Sequence, residues 1–241
     1  MNHSNKEYHG IWRIIPSMAI TEIIGQSKFD FQILDCEHGA YDYQTLLDDV
    51  RICHLENCLA YIRVSGLNGV EVQRCLDLGA DGIVFPQLNT YADFERATKM
   101  LRYAPIGTRG FNPFVPAGGY GFGDIHKKKP KCIVIIETLK AVEELDQILK
   151  LDDIDFLYIG IYDLSAQLGC IGEMENPRLM DIVDKIIEMA RRSNKQVSLM
   201  IDNPVTYRKY KSKGVTSFVH TIDSHQIKKA FMSELNNTIR S

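Results

Sequence analysis

Eight short apolar runs, separated by sequence with helical spacing, recur about every 30 residues along the 241-residue chain, and this alternation constrains the fold most. The runs cover residues 11–18, 29–35, 59–64, 82–85, 131–137, 156–160, 196–201 and 217–222. Helical spacing follows at 20–24, 41–51, 70–78, 90 to about 103, 139–149, 177–192 and 205–213. Strands that alternate with helices in this way predict an α/β fold with a parallel sheet, and eight of them predict a closed (β/α)8 TIM barrel. A doubly wound open sheet would carry a glycine fingerprint after its first strand, and Ile15-Pro-Ser-Met-Ala19 carries none. One domain over residues 1–241 is expected.

The alternation pauses between residues 105 and 130, a long stretch rich in glycine and proline that is expected near the barrel mouth. Its cluster Gly118-Gly-Tyr-Gly-Phe-Gly123 reads as a flexible lid. The basic run His126-Lys-Lys-Lys-Pro-Lys131 reads as a solvated loop, with attraction of a phosphorylated aldehyde as the alternative. A formal net charge of −3 gives no polybasic footprint for nucleic acid and no strong pull towards anionic membranes, so a small-molecule partner is expected. The cysteines at 36, 53, 58, 75, 132 and 170 form no C-x-x-C pair, the first residues lack a signal peptide's apolar core, and no apolar run approaches the ~20 residues of a membrane span. A reduced, cytoplasmic setting fits that usage.

In a barrel of this kind the carboxyl ends of the strands share one mouth. Asp35, Glu37, His38, Arg63, Glu137 and Asp163 all fall at or just beyond such ends. His38 and Arg63 are separated by about one strand-helix repeat, as are Glu137 and Asp163, so each pair sits on neighbouring strands. Two carboxylates held close in a partly desolvated mouth repel unless a cation joins them, and oxygen ligands without thiolates favour Mg2+ or Mn2+, with Co2+ or Zn2+ as substitutes. Taken singly, each acid could equally pair with a lysine or cap a helix. Arg63 needs an anion, either Asp35 or Glu37 or a substrate carboxylate. His38 has the chemistry of a general base near neutral pH. His220, ending the eighth run, reads as core or rim.

Several of these segments carry a family resemblance. Asp35-Cys-Glu-His-Gly39, Ile62-Arg-Val64, Leu76-Asp-Leu-Gly-Ala-Asp-Gly-Ile-Val-Phe-Pro86, Pro105-Ile-Gly-Thr-Arg-Gly110, Ile136-Glu-Thr138 and Ile159-Gly-Ile-Tyr-Asp-Leu-Ser165 together resemble the hydroxy-oxo-heptanedioate aldolases and their relatives, the 2-keto-3-deoxy sugar acid aldolases. The resemblance implies a barrel of the phosphoenolpyruvate/pyruvate-binding type and a metal-dependent (class II) aldolase that makes or breaks a bond to the methyl carbon of pyruvate. It also implies a homo-oligomer, a hexamer or trimer, whose last helix packs on a neighbouring subunit. Carried over by position, Glu137 and Asp163 hold the metal, Arg63 steadies pyruvate and its enolate, and His38 moves the proton; the chemistry of such a site adds backbone amides near Tyr162 and Asp163 as donors to the pyruvate carboxylate. Asp77 matches an acid that makes this histidine more basic.

The sequence departs from that family pattern at three places. Ile135 stands where many members have glutamine, Ile161-Tyr162 replaces a proline and a small residue, and residues 111–123 lack an arginine-rich pattern. A citryl-CoA or malyl-CoA type lyase, which would need a groove for CoA, and a catalytically retired barrel binding a carboxylate are the competing expectations.

Overall fold

The computed structural model describes residues 6–124 and 129–240. Eight parallel strands close into a barrel in sequential order: β1 (Tyr8–Arg13), β2 (Phe31–Asp35), β3 (Leu59–Arg63), β4 (Gly82–Phe85), β5 (Lys131–Ile136), β6 (Phe156–Ile159), β7 (Gln196–Met200) and β8 (Ser217–Ile222). Between them lie α1 (Met18–Gln26), α2 (Tyr43–Leu55), α3 (Gly69–Asp77), α4 (Tyr91–Met100), α5 (Leu139–Glu143), α6 (Leu145–Ile148), α7 (Ile161–Gln167), α8 (Pro177–Arg192) and α9 (Pro204–Ser212), and α10 (Asp223–Arg240) follows β8. The TIM-barrel expectation therefore holds. Among the described residues no helix is long and apolar enough to cross a membrane, and all six cysteines are free thiols.

Strand parity builds two apolar layers. Trp12, Phe31, Ile33, Tyr61, Ile133, Ile135 and Tyr158 fill the inside of the barrel, while the alternate residues Leu34, Ile62, Val134 and Ile136 pack outward under the helices. Because side chains alternate strictly, Asp35, Arg63 and Glu137 continue the inward series of their strands, two residues beyond Ile33, Tyr61 and Ile135. The register places Asp35 beside Arg63 across β2 and β3. Hydrophobic strands thus deliver these charges to the top of the barrel interior.

The first strand lies earlier than residues 11–18. It ends at Arg13, and the Ser17 hydroxyl accepts from the Ile20 amide to cap α1. Pro16, which offers no amide hydrogen, sits in the break between them. Arg13 points outward and is fully buried. It donates to Asp223, Thr21, Gln32 and the carbonyls of Ile15 and Ser17, tying β1 to the starts of α1 and α10. The helix expected at 139–149 is broken at Glu144, whose carboxylate accepts from the Tyr91 amide. The short α7, directly after β6, had no separate sequence signal.

His220 is on the outer face of β8, beside inward-facing Val219, and its Nε2 lies 2.9 Å from His9 Nδ1. It is neither barrel core nor part of the mouth, so the expectation of core or rim is corrected. Helix α10 leaves the body of the barrel with Phe231, Met232, Leu235 and Ile239 between 55 and 72% exposed. These residues line one helical face that none of the described residues covers.

Candidate active site

The turn after β2 is organised by Asp35. Its carboxylate accepts from Trp12 Nε1 at 2.8 Å, from Arg63 Nε at 2.9 Å and Nη2, and from the backbone amides of Glu37 at 2.9 Å and His38 at 3.1 Å. Burial opposes ionisation, but Arg63, Trp12 and the His38 amide together hold this carboxyl below the ordinary carboxylate range. Both anions considered as partners for Arg63 are used: Nη1 also meets Glu37 Oε2 at 2.9 Å. The guanidinium lies over the Trp12 ring, 4.7 Å from its centroid. Of its five N–H groups three are engaged among the described residues, which leaves two for a ligand.

Gly39 lets the chain turn away immediately after His38. A Cβ there would stand 2.2 Å from the Asp35 carbonyl oxygen and 3.1 Å from that of Ile14. Gly39→Ala is therefore expected to destabilise the protein by about 1–3 kcal/mol and to displace His38, measured as a lower denaturation midpoint together with reduced activity. His38 itself is exposed at the lip, and its imidazole makes no hydrogen bond among the described residues.

Glu137 follows β5 and is 5% exposed. Its Oε1 accepts from the backbone amide of Gln87, a residue held at φ 56° just after Pro86. The Gln87 side chain donates to Glu37 Oε1 at 2.6 Å, so Arg63, Glu37, Gln87 and Glu137 form one chain of polar contacts. Gln87→Ala removes the Glu37 contact but keeps the amide. A loss of about 1 kcal/mol in chemical denaturation is expected, with metal affinity lowered less than by any change at Glu137. Gly160 permits Glu137 to approach α7, since a Cβ at Gly160 would be 2.5 Å from Glu137 Cβ. Asp163 lies in the first turn of α7, where the N-cap Gly160 offers no side-chain acceptor to the first amides.

Burial first, and then the charges of Asp163 and Glu37, push the Glu137 carboxyl up to about 7, against the pull of the Gln87 amide and Arg63. A buried carboxylate facing a second one is a site short of positive charge. A hard divalent cation between Glu137 and Asp163 removes that deficit, so the donor set fits such an ion. Among the described residues no group of three His, Cys, Asp or Glu side chains is close enough to hold a metal, so substrate and water would complete the coordination.

These residues surround one cavity of about 340 Å3 lined by Asp35, His38, Arg63, Glu137 and Asp163, with Trp12, Ile135 and Tyr158 also in its wall. The size suits a small metabolite. Asp77 does not belong to it. It ends α3, at the amino-terminal end of the barrel, and pairs with Arg109 Nη2 at 3.0 Å instead of with His38. The described residues of the stretch 105–130, 105–124 and 129–130, are likewise not at the mouth, because they lie between the end of α4 and the start of β5. Within it, residues Pro116–Gly121 form a 3-10 turn, and Tyr120 takes a hydrogen bond from Arg51 of α2. The lid expected over the mouth is thus a wedge against α2 and α3. Residues 126–128 of the basic run lie outside the described residues.

Sequence reasoning missed Trp12 and Gln87. The chain's single tryptophan at an inward position of the first strand was an available signal for the former. Gln87 gave none, because a left-handed backbone at a non-glycine residue is not legible in its type.

An all-parallel barrel with two acids, an arginine and a histidine around its mouth has the architecture of a metal-assisted carbon–carbon lyase. The description "HpcH/HpaI aldolase/citrate lyase" matches residues 9–229, and the chain belongs to that family as an aldolase of the aldehyde-lyase class. It is 26% identical over 209 residues to the 2-dehydro-3,6-dideoxy-6-sulfogluconate aldolase of Pseudomonas putida, covering 85% of this chain and 82% of the relative. Over 244 residues it is 25% identical to the hydroxypyruvate/pyruvate aldolase of Agrobacterium fabrum, covering 99% and 89% of the two chains. The crystal structure of a family protein from Burkholderia cenocepacia superposes with a TM-score of 0.93 at 22% identity, covering 99% of this chain and 96% of that one, and so shares the fold.

Proposed function

We propose that this enzyme reversibly cleaves a 4-hydroxy-2-oxo acid to pyruvate and an aldehyde, the type of reaction that the 2-keto-3-deoxy sugar acid aldolases carry out. The observation that carries the proposal is the meeting of His38, Arg63, Glu137 and Asp163 on one cavity. Glu137 and Asp163 are the residues to hold a divalent ion, Mg2+ or Mn2+, which when bound supplies a Lewis acid to the keto oxygen of the substrate.

The chain's own groups do the rest. The two unengaged N–H groups of Arg63 face the oxygen on which negative charge develops, while Asp35 and Glu37 hold the guanidinium in place. First-turn amides of α7 at Tyr162 and Asp163 orient the carboxylate. In cleavage, His38, directly or through a water, takes the proton of the C4 hydroxyl. The C3–C4 bond breaks, its electron pair passes into the enolate of pyruvate, C4 leaves as an aldehyde, and C3 is then protonated. The route needs no lysine Schiff base.

The uncovered apolar face of α10 supports a homo-oligomer, a hexamer or trimer in which that helix packs on a neighbour. The unpaired thiols support a reducing, cytoplasmic setting. The test is pyruvate release from a panel of 4-hydroxy-2-oxo acids with and without a chelator. Turnover that stops with chelator and returns with Mg2+ or Mn2+ is expected; turnover indifferent to the chelator would reject the mechanism.

A further inference from the structure

The cavity is chemically lopsided. Its charges come from the ends of β2, β3 and β5 and from Asp163 on α7. Across from them, Met200 at the end of β7, Ile222 at the end of β8 and Ile14 just after β1 form a continuous arc, extended by Ile161 and Tyr162 of α7. No side chain in that arc carries a charge, and the Tyr162 hydroxyl, on a residue 59% exposed, makes no hydrogen bond among the described residues.

The charge balance points the same way. Among the described residues Arg63 is the only arginine or lysine lining the cavity, and Asp35 and Glu37 already neutralise it. Glu137 and Asp163 add two further acids. A divalent ion together with a pyruvate carboxylate would bring one net positive charge, so the loaded site still has a negative surplus. A second anionic group on the substrate would lose its water without gaining a cation or a donor. A polyhydroxylated tail would leave its hydroxyls unpaired against isoleucine and methionine.

Resting on the reading of this site as one that forms the enolate of pyruvate, we infer that the aldehyde fragment it accepts is uncharged and apolar, an aliphatic or aromatic aldehyde, held by Ile14, Met200, Ile222 and Tyr162. The bond made and broken is the same C3–C4 bond, and only the group on C4 is specified.

The experiment has two arms. Exchange of the pyruvate methyl protons in deuterated water, with Mg2+ or Mn2+ and no aldehyde, reports the enolate alone. Aldol formation from pyruvate with hexanal, succinic semialdehyde or glyceraldehyde then reports the aldehyde pocket. With exchange present, kcat/KM for hexanal is expected to exceed that for succinic semialdehyde on the order of 100-fold. Met200→Lys is unbranched, one atom longer, and adds a cation, so it should narrow that ratio by about 10-fold or more while exchange persists; if it lowers exchange as well, Ile222→Lys supplies the same readout. Exchange together with equal or better use of succinic semialdehyde or glyceraldehyde overturns the inference and leaves the enolate reading standing. Absence of exchange overturns both.

Discussion

Glu137→Gln is expected to stop aldol cleavage and yet to make the metal-free protein more stable at pH 8. The buried carboxyl titrates at about 7 in the folded protein against an ordinary value of 4.5. The folded state therefore binds more protons than the unfolded state between these values, and stability falls as pH rises through that window. At ~1.4 kcal/mol per pH unit, this shift amounts to on the order of 3 kcal/mol of destabilisation, complete above pH 7 and absent below about pH 4.5. Glutamine keeps the shape, can accept from the Gln87 amide, and carries no charge. Urea denaturation with chelator should give a higher midpoint for the variant at pH 8 and matching midpoints near pH 4. Mg2+ or Mn2+ should raise the midpoint of the wild-type protein and leave that of the variant nearly unchanged. Activity should fall by roughly 100-fold or more, since even residues that only support metal ligands are worth 10- to 100-fold. A variant that is less stable at pH 8 would contradict the account of this carboxyl as a site short of positive charge.

The second large effect is at Arg63. Removing it as Arg63→Met leaves Asp35, 1% exposed, as a buried carboxylate that has lost its charged partner. Loss of about 3–5 kcal/mol is expected, with activity lost as well. Arg63→Lys restores one positive charge, but it cannot engage both Asp35 oxygens and Glu37 at once, so it should recover part of the stability and little of the activity. The double variant Asp35→Asn, Arg63→Met removes both charges and should be more stable than Arg63→Met alone. A thermodynamic cycle over these proteins measures the coupling. Additive effects would mean that the guanidinium does not depend on Asp35 for its position.

The barrel was legible because two periods repeat along the chain: apolar runs long enough only for strands, and helical spacing between them. The gathering of His38, Arg63, Glu137 and Asp163 on one cavity was legible for a related reason, that a charged residue at an inward position near the end of an apolar strand opens into the shared mouth, whereas Arg13, at an outward position, does not. Parity then told which of these charges face inward, as with Glu137 two residues beyond Ile135. Asp77 was carried by resemblance and not by position; one chain puts it at the far end of the barrel, with Arg109. The glycine-rich stretch was misjudged because it was read without its place in the alternation: a connection from helix to strand returns to the amino-terminal end. The end of the first strand was set by Pro16, Ser17 and the buried Arg13 cluster, whose partners on α1, β2 and α10 are remote in sequence. Trp12 and Gln87 act by holding other side chains, and residue type alone does not reveal that.

The central claim is that segments far apart in the chain assemble a seat for one divalent ion and the keto acid bound to it. A crystal grown with Mn2+ and pyruvate, with anomalous scattering to locate the metal, tests this directly. A single manganese ligated by Glu137 and Asp163, with the keto acid on it and Arg63 donating to the keto oxygen, is the predicted result. Manganese elsewhere, or pyruvate seated without contact to it, would contradict the claim.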